Sequence, residues 1–76
     1  MEECREPIDA FSEAIERDSN YALAYAKRAL VRWDCVSYSS AWLLHPEIAK
    51  SVRKDAERAI EIAPDLPDGY VALSNL

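Results

Sequence analysis

Ala14-Ile15-Glu16-Arg17-Asp18-Ser19, running on to Tyr25, returns later in the chain as Ala59-Ile60-Glu61-Ile62-Ala63-Pro64, running on to Tyr70. The offset is constant: position 14 becomes 59 and position 25 becomes 70, 45 residues apart in each case. In both copies the end of an amphipathic helix meets a short polar or proline turn, and an aromatic residue follows early in the next helix. Repetition of such a unit is the mark of stacked helical hairpins, each burying its apolar face against its neighbours. An all-α class follows, and with it the expectation of a binding module rather than an enzyme.

Composition agrees with that class. The 76 residues contain a single glycine, Gly69, and are 50% hydrophobic and 30% charged. Helix-forming residues dominate, and little is left for sheets or glycine-rich phosphate loops. So short a chain forms one small domain. The net charge of −5 disfavours nucleic acid as a partner, since phosphate binding needs a concentrated basic surface. The longest apolar runs, such as Ala41-Trp42-Leu43-Leu44, fall far short of the roughly 20 residues that span a bilayer. The Glu-rich N-terminus has no apolar core of a signal peptide. No membrane role and a cytoplasmic location are therefore expected, with Cys4 and Cys35 as two reduced thiols.

Outward from the repeated segment, four helices are predicted. The first runs from Glu6 to Arg17, with Pro7 in its first turn and Ile8, Phe11, Ala14 and Ile15 on one face. Asp18-Ser19-Asn20 breaks it and offers capping oxygens. The second runs from Tyr21 to about Tyr38 and is apolar on two sides, as a helix between two neighbours should be. A less regular stretch closes at His45-Pro46, where the proline suits the start of a new helix. The third runs from Glu47 to Ala63, with Ile48, Val52, Ala56, Ala59, Ile60 and Ala63 as its apolar stripe. After the turn Pro64-Asp65-Leu66-Pro67 the fourth runs from Pro67 to Leu76. Ala14, Ala29 and Ala59 are expected at close helix contacts.

No constellation in the chain carries chemistry. His45 with Cys35 and Asp34 lacks the second histidine or close cysteine that a metal site needs, and nothing orients a Cys35/His45 nucleophile pair. The acidic residues Glu2, Glu3, Glu6, Asp9, Glu13 and Glu16 read as a solvated helix face. Catalytic, cofactor-binding and metal-ligating residues are expected to be absent.

The same residues resemble tetratricopeptide repeats, a unit of roughly 34 residues with the pattern W-x2-L-G-x2-Y, then A-x3-F, then P. Tyr25-x2-Arg28-Ala29-x2-Arg32 stands at the first segment, and Tyr70-x2-Leu73-Ser74 in the later copy. Pro7-x3-Phe11 and Val52-x3-Ala56 stand at the second, and Ser19 and then Pro64 at the closing proline. The 45-residue period places an insertion between Trp33 and Glu47. With that insertion, the run from Asp55 to Leu66 is similar to repeats of bacterial regulatory proteins carrying adenylate-cyclase-like or transcriptional-regulator domains.

The resemblance implies a right-handed α-α superhelix. The chain would be a piece of a longer array: the second helix of one repeat, one extended repeat, and the first helix of a further repeat. It also implies a groove lined by the first helix of each hairpin. That groove would carry Leu23, Ala26, Lys27, Leu30, Trp33 and Asp34, continued by Asp68, Val71, Ala72 and Asn75, for a peptide or protein partner. The Lys/Asn pattern of carboxylate-clamp members is not reproduced. Tyr70, Leu73 and Leu76 on the last helix are the candidates for the alternative role, self-association into a homodimer.

Overall fold

The computed structural model describes the backbone of residues 2–37 and 46–74, and the side chains of 5–35 and 46–74. The described residues form four helices and no strand: α1 (Glu2–Arg17), α2 (Ala22–Ser37), α3 (Pro46–Ile62) and α4 (Pro67–Ser74). The expected ends at Tyr38 and Leu76, the irregular stretch up to His45 and most of the insertion after Trp33 lie outside the described residues.

The first helix starts four residues earlier than expected, and Pro7 lies inside it rather than in its first turn. Proline forfeits one backbone bond near the N-terminus, where few intrahelical bonds are at stake.

The repeat is visible in the turns, bond for bond. Asp18 N–H donates to Ala14 C=O at 2.9 Å, and 45 residues later Ala63 N–H donates to Ala59 C=O at 2.9 Å. Tyr21 N–H donates to Asp18 C=O at 3.1 Å, matched by Leu66 N–H to Ala63 C=O at 3.0 Å. In the first turn Asp18 also accepts the Asn20 N–H through its side chain at 3.0 Å, the local bond that makes Asp a helix breaker. One turn geometry is thus used twice, and each sends the chain back along the helix it has left.

The middle helix α2 packs on α1, α3 and α4, and α3 packs on α4, whereas among the described residues the backbones of α1 and α3 stay apart. The α2/α3 pair is antiparallel: Arg28 meets Asp55, and one turn onward Arg32 meets Ser51, one turn back. The core is made almost wholly of alanine. Ala26, Ala29, Ala56, Ala59 and Ala72 are fully buried, and Val52 is the one larger side chain with them. Small residues bring backbones close, so Ala29, Val52, Ala56 and Ala72 form a central cluster against which Leu30, Trp33, Ile48 and Leu73 pack half-buried. Of the three alanines expected at close contacts, Ala29 and Ala59 are fully buried and Ala14 is half-buried.

At Gly69, α4 lies close against α3. A Cβ there would stand 2.9 Å from Cγ1 of Ile60 and 3.4 Å from both the Ala56 carbonyl oxygen and the Ala59 Cβ.

Cys35 is disulfide-bonded, which overturns the expectation of two reduced thiols. Cys4 is the other cysteine of the sequence. No helix among the described residues is long and apolar enough to cross a membrane.

Candidate functional site

Two faces of the bundle gather functional groups, one where α2 meets α4 and one where α2 is flanked by α1 and α3. The first holds the residues singled out in the sequence. Lys27 of α2 and Asp68 of α4 form an ion pair, Nζ to Oδ2 at 3.2 Å, with side chains 45% and 25% exposed. Leu23, one turn before Lys27, and Val71, nearly one turn after Asp68, are both exposed. Leu23 and Val71 thus leave an exposed apolar side chain on each of the two helices that the pair joins. Asp34 is also exposed.

The remaining expected groove residues are placed elsewhere or only partly there. Leu30 and Trp33 pack against the alanine cluster and are half-buried, and Ala26 and Ala72 are wholly inside. Asn75 lies outside the described residues. Of the self-association candidates, Tyr70 is exposed, Leu73 packs on the core cluster, and Leu76 lies outside the described residues.

The second face exists because the backbones of α1 and α3 stay apart. Between them α2 forms the floor of a cleft of about 620 Å³, lined by Tyr25, Arg28, Arg32, Lys54, Asp55 and Arg58 among others. Its organising group is Asp55, buried to 4% exposure. Arg28 grips it with both arms of the guanidinium fork, Nε to Oδ2 and Nη2 to Oδ1, each at 2.7 Å. Arg32 Nη1 adds a longer contact to Oδ2 at 3.4 Å and donates to Ser51 Oγ at 3.1 Å. The third arm of Arg28 donates to Ser12 Oγ at 3.1 Å, and that hydroxyl donates to the Ile8 carbonyl at 2.8 Å. Arg28 thus ties three helices together, α2 to Asp55 of α3 and to Ser12 of α1. The hydrogen bond to Asp55 holds the Arg28 guanidinium pKa above its ordinary value, its partial burial acts in the opposite direction, and the charges of Asp55 and Tyr25 add to the rise.

Tyr25 completes this face. Its ring lies 5.7 Å from the guanidinium carbon of Arg28 and 6.0 Å from that of Arg58, within the range of cation–π attraction. Its hydroxyl donates to the Ser19 carbonyl at 3.2 Å, so the same side chain pins the α1–α2 turn. Asp55 is committed to the guanidinium groups of Arg28 and Arg32. The arrangement cross-links α2 with α1 and with α3.

The repeat pattern accounts for Arg32 only as a polar substitute for its final tyrosine and gives Asp55 no role. A signal was present: Arg28 and Arg32 are one turn apart, as are Ser51 and Asp55, so each helix offers a matched polar pair to the other. Only the α2/α3 register turns that spacing into a contact.

No protein-family model, no curated protein and no solved structure matches the chain.

Proposed function

We propose that the chain is a non-catalytic interaction module of the tetratricopeptide-like kind, receiving a peptide or protein partner on the α2/α4 face. The observation that carries this reading is the half-exposed Lys27–Asp68 pair joining α2 to α4, with Leu23 and Val71 exposed on the same two helices. Two apolar contacts on adjacent helices give a partner something to bury, and a half-exposed ion pair gives it polarity and register to match. The duplicated turn hydrogen bonds support a repeat architecture, and with it the reading of α2 and α4 as corresponding helices of successive hairpins. The resemblance extends the proposal to a larger bacterial regulatory protein. A disulfide at Cys35 favours oxidising surroundings over the cytoplasmic location expected from the sequence.

Peptide-display selection against the 76-residue chain tests the reading. Selected peptides should bind the wild-type chain and lose at least about tenfold in affinity, or 1.4 kcal/mol, against Val71→Asp and against Lys27→Glu. Peptides that bind both variants as well as the wild type would place the binding face elsewhere.

A further inference from the structure

The cleft that α2 floors between α1 and α3 is sorted by charge and by depth. Its inner part holds three guanidinium groups against the one buried carboxylate of Asp55: the side chains of Arg28, Arg32 and Arg58 are 19%, 23% and 37% exposed. Two positive charges are therefore unmatched there, in a chain whose net charge is −5. The other acidic residues of the lining, Glu57 and Glu61, are exposed at the mouth, as is Lys54. Glu61 pairs with Arg58 at 3.0 Å across one helical turn, but its side chain is 71% exposed, and water screens such a pair. In the lower dielectric of the partly buried interior, charge acts more strongly than at the rim.

The unmatched charges come with open donors. Among the described residues both hydrogen bonds of Arg32 leave from Nη1, to Ser51 Oγ and to Asp55 Oδ2, so the Nε and Nη2 edge of its fork is uncommitted. Arg58 likewise uses only Nη1, on Glu61. Such an edge matches two oxygens of an oxyanion at once. Both groups are held in place before any ligand arrives. Arg32 is fixed by Ser51 and Asp55, and Arg58 lies 6.0 Å from the ring of Tyr25, itself tied to the Ser19 carbonyl. Donors already ordered lose less freedom on binding.

We propose that this cleft binds a phosphate monoester, its phosphoryl head taken by Arg32 and Arg58, with Lys54 adding a third cation at the mouth. Two unmatched positive charges suit a group that carries about −1.5 to −2 at neutral pH better than they suit the single charge of a carboxylate. The cleft, about 620 Å³, has room for the head and for what carries it. Leu23, Lys27, Asp68 and Val71 are not among its lining residues, so the site stands independently of the peptide face.

NMR spectra of the backbone amides and arginine Nε–H groups of the full chain, titrated at low ionic strength with inorganic phosphate, test this. The Arg32 and Arg58 Nε–H signals should shift and saturate, and acetate at matched ionic strength should not reproduce the effect. Arg58→Gln leaves the Arg28–Asp55 pair untouched and should weaken phosphate binding about tenfold, the worth of a hydrogen bond to a charged group. Glu61→Gln removes a carboxylate at the mouth and should tighten binding. Circular dichroism should show wild-type helix content in both variants. Phosphoserine and glycerol 3-phosphate then separate the two sources of the group, a modified side chain and a small metabolite, by which of them binds more tightly. Shifts that grow without saturating, acetate that binds as tightly as phosphate, or a folded Arg58→Gln chain that binds phosphate like the wild type would each overturn the proposal.

Discussion

Arg28 holds both oxygens of the buried Asp55 carboxylate at 2.7 Å, so the strongest polar contact joining α2 to α3 is sealed from water on the carboxylate side. Removing a partner from a buried ion pair leaves an uncompensated charge. Asp55→Ala and Arg28→Ala should each cost about 3–5 kcal/mol, enough to unfold so small a domain. The double change Arg28→Met with Asp55→Leu removes both charges while keeping volume, and should fall within about 1–4 kcal/mol on the stabilising side of neutral. Urea midpoints of the three variants check this ordering. Arg28's pKa is raised in the folded state, so its contribution is fully present below the unfolded value. That contribution is lost only as pH rises through the folded value, far above neutrality.

Gly69 is set by contact rather than by flexibility. With Ile60 Cγ1 at 2.9 Å from a Cβ that is not there, Gly69→Val must push α4 off α3. The expected loss is about 1–3 kcal/mol, as for other overpacked sites. Ala29→Leu, which enlarges a fully buried residue of the central cluster, should cost a similar amount. Thermal melts would show both, and unchanged midpoints would contradict the alanine-lined packing of α2, α3 and α4.

The parts of the fold legible in the sequence were those decided by local chemistry. Asp18-Ser19-Asn20 and Ala63-Pro64-Asp65 stop a helix through nearby backbone and side-chain bonds, so both turns and the four-helix class could be read directly. The start of α1 was misplaced because proline was treated as a boundary, although near a helix N-terminus it sacrifices little. The site was less legible. Helical spacing shows that α2 is apolar on two sides, but it does not say that Leu30 and Trp33 turn to the alanine cluster while Leu23 stays outside. Arg28 and Asp55, 27 positions apart, needed the antiparallel register before their pairing could be seen.

Cys35 offers a test of compartment and of stability together. Reduction, or Cys35→Ser, should lower the unfolding free energy by about 2–4 kcal/mol. Denaturant melts with and without a reductant measure that change. Alkylation of the unreduced, unfolded protein, followed by mass analysis, reads the oxidation state independently. A freshly purified chain that takes up label at Cys35 without reductant would return it to the free thiol expected from the sequence.

Lys27 and Asp68 separate binding from folding. Their side chains are 45% and 25% exposed, and at such exposure an ion pair contributes only about 0–1 kcal/mol to stability. Lys27→Met keeps the aliphatic stem that crosses from α2 to α4 and removes only the charge. It should leave the melting temperature within a few degrees of the wild type, whereas Arg28→Ala should not. If the α2/α4 face receives the partner, the same variant should weaken binding of display-selected peptides, with the larger loss for those carrying an acidic residue. The charge reversal Lys27→Asp with Asp68→Lys restores an ion pair but inverts the pattern presented to the ligand. Stability should recover in that double variant while peptide binding does not. Recovery of both would mean that the pair only joins the two helices.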